Sequence, residues 1–186
     1  MNLILLGPPG SGKGTQAKLL SQHFQLNHIS SGELLRQEVV QNTPKGKLIA
    51  QIMNQGELVP FDTVLDLILK QINTSPNGFI LDGTPRDLSQ AEHMDWFFNQ
   101  NHIHLDTVIY YQLDDPTALK RLANRAREEN RSDDTPQIHR ERLRIYHQKT
   151  QPVIDYYQKQ HKLVTIDARP DIDTIFANTL KLIPSK

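Results

Sequence analysis

The chain has 186 residues, with 21 Lys plus Arg against 21 Asp plus Glu, a formal net charge of zero. That balance argues against broad nucleic-acid or membrane-surface binding, which draws on a basic excess, and the absence of cysteine excludes disulfides, Cys-based zinc sites and thiol catalysis. The length suits one compact α/β domain with small insertions, and a mean hydropathy of −0.53 with 6% aromatic residues reads as a water-soluble chain with a modest core.

The apolar run Leu3-Ile4-Leu5-Leu6 predicts a buried first strand; it lacks the basic n-region and full h-region of a signal peptide. No window approaches the length of a membrane span, so a cytoplasmic protein is expected. Directly behind the strand stands Gly7-Pro8-Pro9-Gly10-Ser11-Gly12-Lys13-Gly14-Thr15, then a helix over 15–24 with Ala17, Leu20 and Phe24 on one face. Strand, glycine-rich loop and helix in that order make a phosphate cradle. The glycines let successive N–H groups turn toward one anion, the helix start adds a positive dipole end, and Lys13 reaches the outer phosphates. A nucleoside triphosphate is the expected ligand. The pattern departs from G-x-x-x-x-G-K-[ST], because Gly14 follows Lys13 and the hydroxyl comes one place later at Thr15. Mg²⁺ would therefore be held by phosphate oxygens and waters, with a carboxylate reaching it through water.

A second strand is predicted at 26–29. It runs into Ser30-Ser31-Gly32-Glu33-Leu34-Leu35-Arg36, where a hydroxyl ahead of Gly suits an ordinary helix N-cap. Residues 30–59 read as a helical excursion from the sheet. Helix 61–72 shows Val64, Leu65, Ile68, Leu69 and Ile72 as a stripe of 3.6-residue period. Strand 78–81 ends on Asp82, and Gly83-Thr84-Pro85-Arg86 turns behind it. An Asp at a core strand's tip beside the cradle is well placed to hold the hydration shell of Mg²⁺. Gln90, four residues past Arg86, is expected one helical turn away, facing the same space. Its amide offers a donor and an acceptor that match the N1 and N6 edge of adenine.

Strand 107–111 ends near Leu113, and arginines follow. Arg121 and Arg125 are spaced i, i+4, Arg131 precedes Ser132-Asp133-Asp134, and Arg142 lies on the next helix among Glu128, Glu129 and Glu141. Such a mixed run suits a solvated, salt-bridged surface. Beside a phosphate cradle, guanidiniums on the short charged loop 125–134 also suit phosphoryl transfer, which needs charge stabilisation and exclusion of water. A long helix over 136–160, expected to kink at Pro152, a strand at 163–166 and a helix over 171–183 complete the chain. Strands alternating with helices predict a parallel sheet covered on both faces, with ligand loops beyond the carboxyl ends of the strands near Ser30, Asp82 and Leu113.

Together GPPGSGKGTQA at 7–17, HISSGELLR at 28–36, GELVP at 56–60, GFILDGTPRDLSQAE at 78–92, NRSDD at 130–134 and RERLRIYHQKTQPVIDYY at 140–157 resemble the adenylate kinases, among the nucleoside monophosphate kinases. The resemblance runs in order through essentially the whole chain. It implies a P-loop NTPase-type α/β fold: a five-stranded parallel sheet flanked by helices, with core segments 1–29, 60–124 and 135–186. A nucleoside-monophosphate insert would occupy 30–59 and a short lid 125–134. It also implies a monomer using ATP, AMP and Mg²⁺, with no structural zinc and no nucleic-acid or membrane partner.

By the same resemblance, Gly10, Ser11, Gly12, Lys13, Gly14 and Thr15 would bind the ATP phosphates, Arg121 would lie along the ATP adenine and Arg125 would contact ATP phosphate. The carbonyl of Pro170 would read the adenine amino group. Ser31, Arg36, Glu57, Leu58, Val59, Gly83, Thr84, Pro85, Arg86 and Gln90 would form the AMP site. Arg131 and Arg142 would bridge the two phosphate groups, making Lys13, Arg86, Arg125, Arg131 and Arg142 the catalytic set, with Asp82 near the metal. The family pattern is broken at Glu33 and Phe61, where Asp is usual, at Thr84, where an aromatic is usual, and in the glycine-free lid run RAREENR. A UMP/CMP kinase is the nearest rival; Ser31 and Gln90 favour AMP.

Overall fold

The computed structural model describes residues 1–129 and 135–183. Its strands are β1 (Leu3–Leu6), β2 (Asn27–Ser30), β3 (Phe79–Asp82), β4 (Thr107–Gln112) and β5 (Leu163–Asp167). All pair parallel, in the order β2-β3-β1-β4-β5. The central strand shows why these residues form a sheet. Every residue of β1 is buried, as expected for a strand covered on both faces. Ile4 and Leu6 turn into one core with Leu81 and Val108, while Leu3 and Leu5 turn into the other with Ile80 and Ile109. The strand ends differ by a residue from the sequence expectation, because the ladder continues to the register pair Ser30 and Asp82.

Helix α1 (Lys13–Phe24) starts from Gly12 at φ 87°, a left-handed conformation that suits glycine. It presses Ala17 and Leu20 into the second core. Between β2 and β3 come α2 (Ser31–Val40), α3 (Pro44–Asn54) and α4 (Phe61–Ile72). Ser30 caps α2 by accepting from the Glu33 N–H, and Thr43 caps α3 by accepting from Gly46. A side chain at Gly46 would strike the Glu38 carbonyl, so glycine lets α3 lie tightly against α2. Helix α4 buries Val64, Leu65, Leu67, Ile68 and Ile72. Leu67 is buried where the spacing had not placed it and the expected Leu69 is only half-buried, because α4 packs on both α2 and β2.

After β3 the chain forms α5 (Leu88–Gln100), and after β4 it forms α6 (Asp115–Glu129). The expected long helix over 136–160 is three pieces: α7 (Pro136–Ile145), a π-helical turn at Tyr146–Thr150, and α8 (Gln151–Lys159). The irregularity lies ahead of Pro152, which sits in the first turn of α8. Widening the turn before it relieves the clash between the proline ring and the carbonyl four residues back. The turn at Gly56, φ 77°, brings the end of the α3–α4 connection onto α7. A Cβ there would lie 3.4 Å from the side chains of Glu141 and Ile138. Helix α9 (Ile172–Leu182) covers the second core with Ile175. No described helix is long and apolar enough to cross a membrane.

Candidate active site

β1 is followed by a connection toward β2 at one edge and its neighbour β3 by a connection toward β4 on the other side, so the loops at their carboxyl ends diverge. Ligands of such sheets bind at that divergence. Here it opens into a cleft of about 840 Å³. Its base is the loop from Gly7 to Gly12, with Gly7, Gly10 and Gly12 all at positive φ. At Gly10 the need is steric as well: a Cβ would sit 2.7 Å from the Ala118 carbonyl of α6. The Lys13 ammonium crosses the loop and donates to the carbonyls of Gly7 (2.7 Å) and Pro8 (2.9 Å).

A Cβ at Gly14, where a hydroxyl residue is usual, would lie in van der Waals contact with Asp82 Oδ2 at 3.4 Å, so the carboxylate faces that position directly. Burial pushes the Asp82 carboxyl up, but His28, Lys13 and Arg86 outweigh it and hold it below the usual carboxylate range. His28 Nε2 stands 3.6 Å from Asp82 Oδ2, too long for a hydrogen bond, so that contact acts through charge and dipole. Among the described residues no three His, Cys, Asp or Glu side chains gather as a metal cage. Asp82 alone therefore fits a cation that arrives with phosphate oxygens and waters, as Mg²⁺ commonly does.

Across the cleft, the loop after β3 meets the start of α2. Ser30 is the ordinary cap, which frees Ser31 to donate to the Gly83 carbonyl at 2.9 Å. The same carbonyl accepts Arg86 Nε at 2.6 Å. Gln90 is not one helical turn from Arg86 as expected. Arg86 precedes α5, whose N-cap is Asp87. The Gln90 side chain instead accepts from the Arg86 N–H (2.9 Å) and donates to Asp87 Oδ2 (2.8 Å). Its amide keeps one lone pair and one N–H for another partner. Thr84 is buried, and its hydroxyl has no hydrogen-bond partner among the described residues.

The cations converge. Burial, Arg142 and Arg36 push the Arg86 pKa down, opposed by Asp82. Burial lowers Lys13 to about 8, with Asp82 opposing and Arg86 and Arg125 adding to the fall. Two like charges 4 Å apart repel by about 4 kcal/mol at an effective dielectric of 20. A fold that gathers several such groups around one cleft is built to receive a polyanion.

At the far end, Arg121 of α6 is held by the β5–α9 loop, donating to the carbonyls of Ala168 (2.7 Å), Arg169 (3.0 Å) and Pro170 (3.3 Å). The Pro170 carbonyl is thus shared with Arg121. Ile172, in the first turn of α9, is 54% exposed and borders this end of the cleft.

Gly10 to Thr15, Ser31, Arg36, Glu57 to Val59, Asp82 to Arg86, Gln90, Arg121, Arg125, Arg142 and Pro170 all line the one cleft. Arg131 lies outside the described residues. Two lining residues stand inside the matching segments but were given no role by the sequence: His28 on β2, and Thr150, whose hydroxyl donates to the Arg86 carbonyl at 2.7 Å from 64 residues away along the chain.

The family model described as adenylate kinase matches residues 5–162. Among curated proteins, the chain is 43% identical over 174 residues to an adenylate kinase of Prochlorococcus marinus (strain MIT 9211), covering 93% of this chain and 91% of that one. It is 40% identical over 186 residues to an adenylate kinase of Stenotrophomonas maltophilia (strain K279a), covering 98% and 99%. A third, from Xylella fastidiosa (strain M23), is 42% identical over 177 residues, covering 94% and 95%.

Proposed function

The chain belongs to the adenylate kinase family, and from that premise we propose how its residues divide the work of the reaction. It is a phosphotransferase with adenylate kinase function; the UMP/CMP kinase alternative is not supported. In our reading ATP lies over the loop from Gly10 to Thr15, with backbone N–H groups and Lys13 on its phosphates and Arg121 and Pro170 at its base. AMP lies between Ser31, Arg36, Glu57 to Val59 and the Gly83–Arg86 turn, with Gln90 toward its adenine. Segments 30–59 and 125–134 act as the monophosphate insert and the lid.

An AMP phosphate oxygen forms a bond to the γ-phosphorus of ATP as the bond to the β–γ bridging oxygen breaks, leaving two ADP. That oxygen is already anionic, so no general base is required. Catalysis reduces to aligning two polyanions and offsetting their repulsion. Lys13, Arg86, Arg125, Arg142 and, by resemblance, Arg131 supply the offset. Asp82 would be the residue that holds Mg²⁺, through water, when the ion is bound with ATP; the ion would supply further positive charge to the phosphates. The reading extends to a cytoplasmic monomer that balances adenine nucleotides.

One observation carries this assignment: Lys13, Arg36, Arg86, Arg125 and Arg142 all line the one cleft that opens over the glycine loop. A coupled assay with ATP and Mg²⁺ tests it against AMP, UMP, CMP and GMP. AMP is expected to turn over far faster than the others; equal turnover of a pyrimidine acceptor would refute the assigned AMP site.

A further inference from the structure

We propose that Thr150 is a positioning residue for Arg86, and that the π turn exists to bring its hydroxyl there. The proposal rests on the reading above, in which Arg86 holds the acceptor phosphate. Arg86 is restrained at three atoms: its N–H by Gln90 Oε1, its Nε by the Gly83 carbonyl, and its own carbonyl by Thr150 Oγ1. The first two restraints come from within the loop and the start of α5. Thr150 alone of the three comes from the α7–α8 segment, and at 7% exposure its hydroxyl is shielded from competing water.

The π register makes this reach possible. The Gln151 N–H bonds to the Tyr146 carbonyl, five residues back. An α-helix overshoots by about 40° every four residues, because a turn takes 3.6 of them. A π turn is wider and falls short instead. The drift gained from Arg142 to Tyr146 is thus undone between Tyr146 and Thr150, returning Thr150 to the face that carries Arg142. Both residues border the cleft. The guanidinium of Arg142 and the backbone of Arg86 are therefore referenced to one rigid segment, which sets their separation.

A displacement of about 1 Å at a reacting group costs about 10²-fold in rate, so Thr150→Val is expected to lower kcat about 10- to 100-fold. The KM for ATP should stay near wild type, Tm should fall by only about a few degrees for the one hydrogen bond lost, and Thr150→Ser should restore most of the rate. Should Thr150→Val not fold, Thr150→Ala against Thr150→Ser makes the same comparison. Adding Thr150→Val to Arg86→Lys should cost little further, since the partner it acts through is already altered. A Thr150→Val enzyme near the wild-type rate, beside a slow Arg86→Lys enzyme, overturns the inference and leaves the reading of Arg86 standing. Loss that appears equally in the ATP KM and the Tm, or that serine does not rescue, also overturns it, as a merely structural effect. An Arg86→Lys enzyme with normal AMP kinetics overturns the reading of Arg86 itself.

Discussion

Lys13 shows how far a single residue's chemistry depends on its surroundings. Its type and place follow from the motif, but burial and two guanidiniums bring its pKa from 10.5 to about 8. A polyphosphate beside the ammonium favours the charged form, so the bound pKa lies above the free one. ATP affinity should then be level below about pH 8 and weaken as pH rises past it, with proton uptake on binding. Calorimetry at pH 7 to 9.5, in buffers of different ionisation heat, reads both; unchanged affinity and no uptake would contradict the assignment. At this scale Gln90 was identifiable as a site residue, but not its engagement with Arg86 and Asp87, because that depends on α5 starting at Leu88 rather than earlier. His28 and Thr150 were not identifiable, since their partners are 54 and 64 positions away.

The elements follow from pattern wherever burial is two-sided or the apolar stripe is wide. β1 and α4 fall where a continuous apolar run and 3.6-residue spacing put them. The π turn did not, because nothing in a hydrophobic period separates an i→i−5 hydrogen bond from an i→i−4 one within a single turn. The glycine loop yields a graded expectation at this scale. Gly10→Ala combines a positive φ with a Cβ 2.7 Å from α6, whereas Gly12→Ala meets nothing within 4 Å and suffers from φ alone. Gly12→Ala should cost about 1–2 kcal/mol. Gly10→Ala should cost more and raise the KM for ATP, since it pushes α6, with Arg121 and Arg125, off the loop. Urea unfolding and initial rates check the order; equal losses would show that the approach of α6 is not tight.

For the whole molecule, zero net charge conceals a strongly polarised interior, with Lys13, Arg86, Arg36, Arg125 and Arg142 on one cleft. A ligand spanning both halves should relieve that self-repulsion more fully than either nucleotide alone. A dinucleoside polyphosphate should therefore bind more tightly and raise Tm beyond ATP or AMP at equal free concentration; at 1,000 times its Kd the stabilisation is about 4 kcal/mol. An equal shift from ATP alone would mean that the halves are not joined. By itself the sequence determined the strand–helix alternation, the phosphate loop, the family resemblance and the list of cations, because these depend on neighbours within a few residues. Only the tertiary structure decided that β1 lies between β3 and β4, that Asp82 stands beside Gly14, and that Thr150 reaches Arg86. Those facts depend on which distant segments share a face, and burial in two cores sets that collectively rather than any local run of residues.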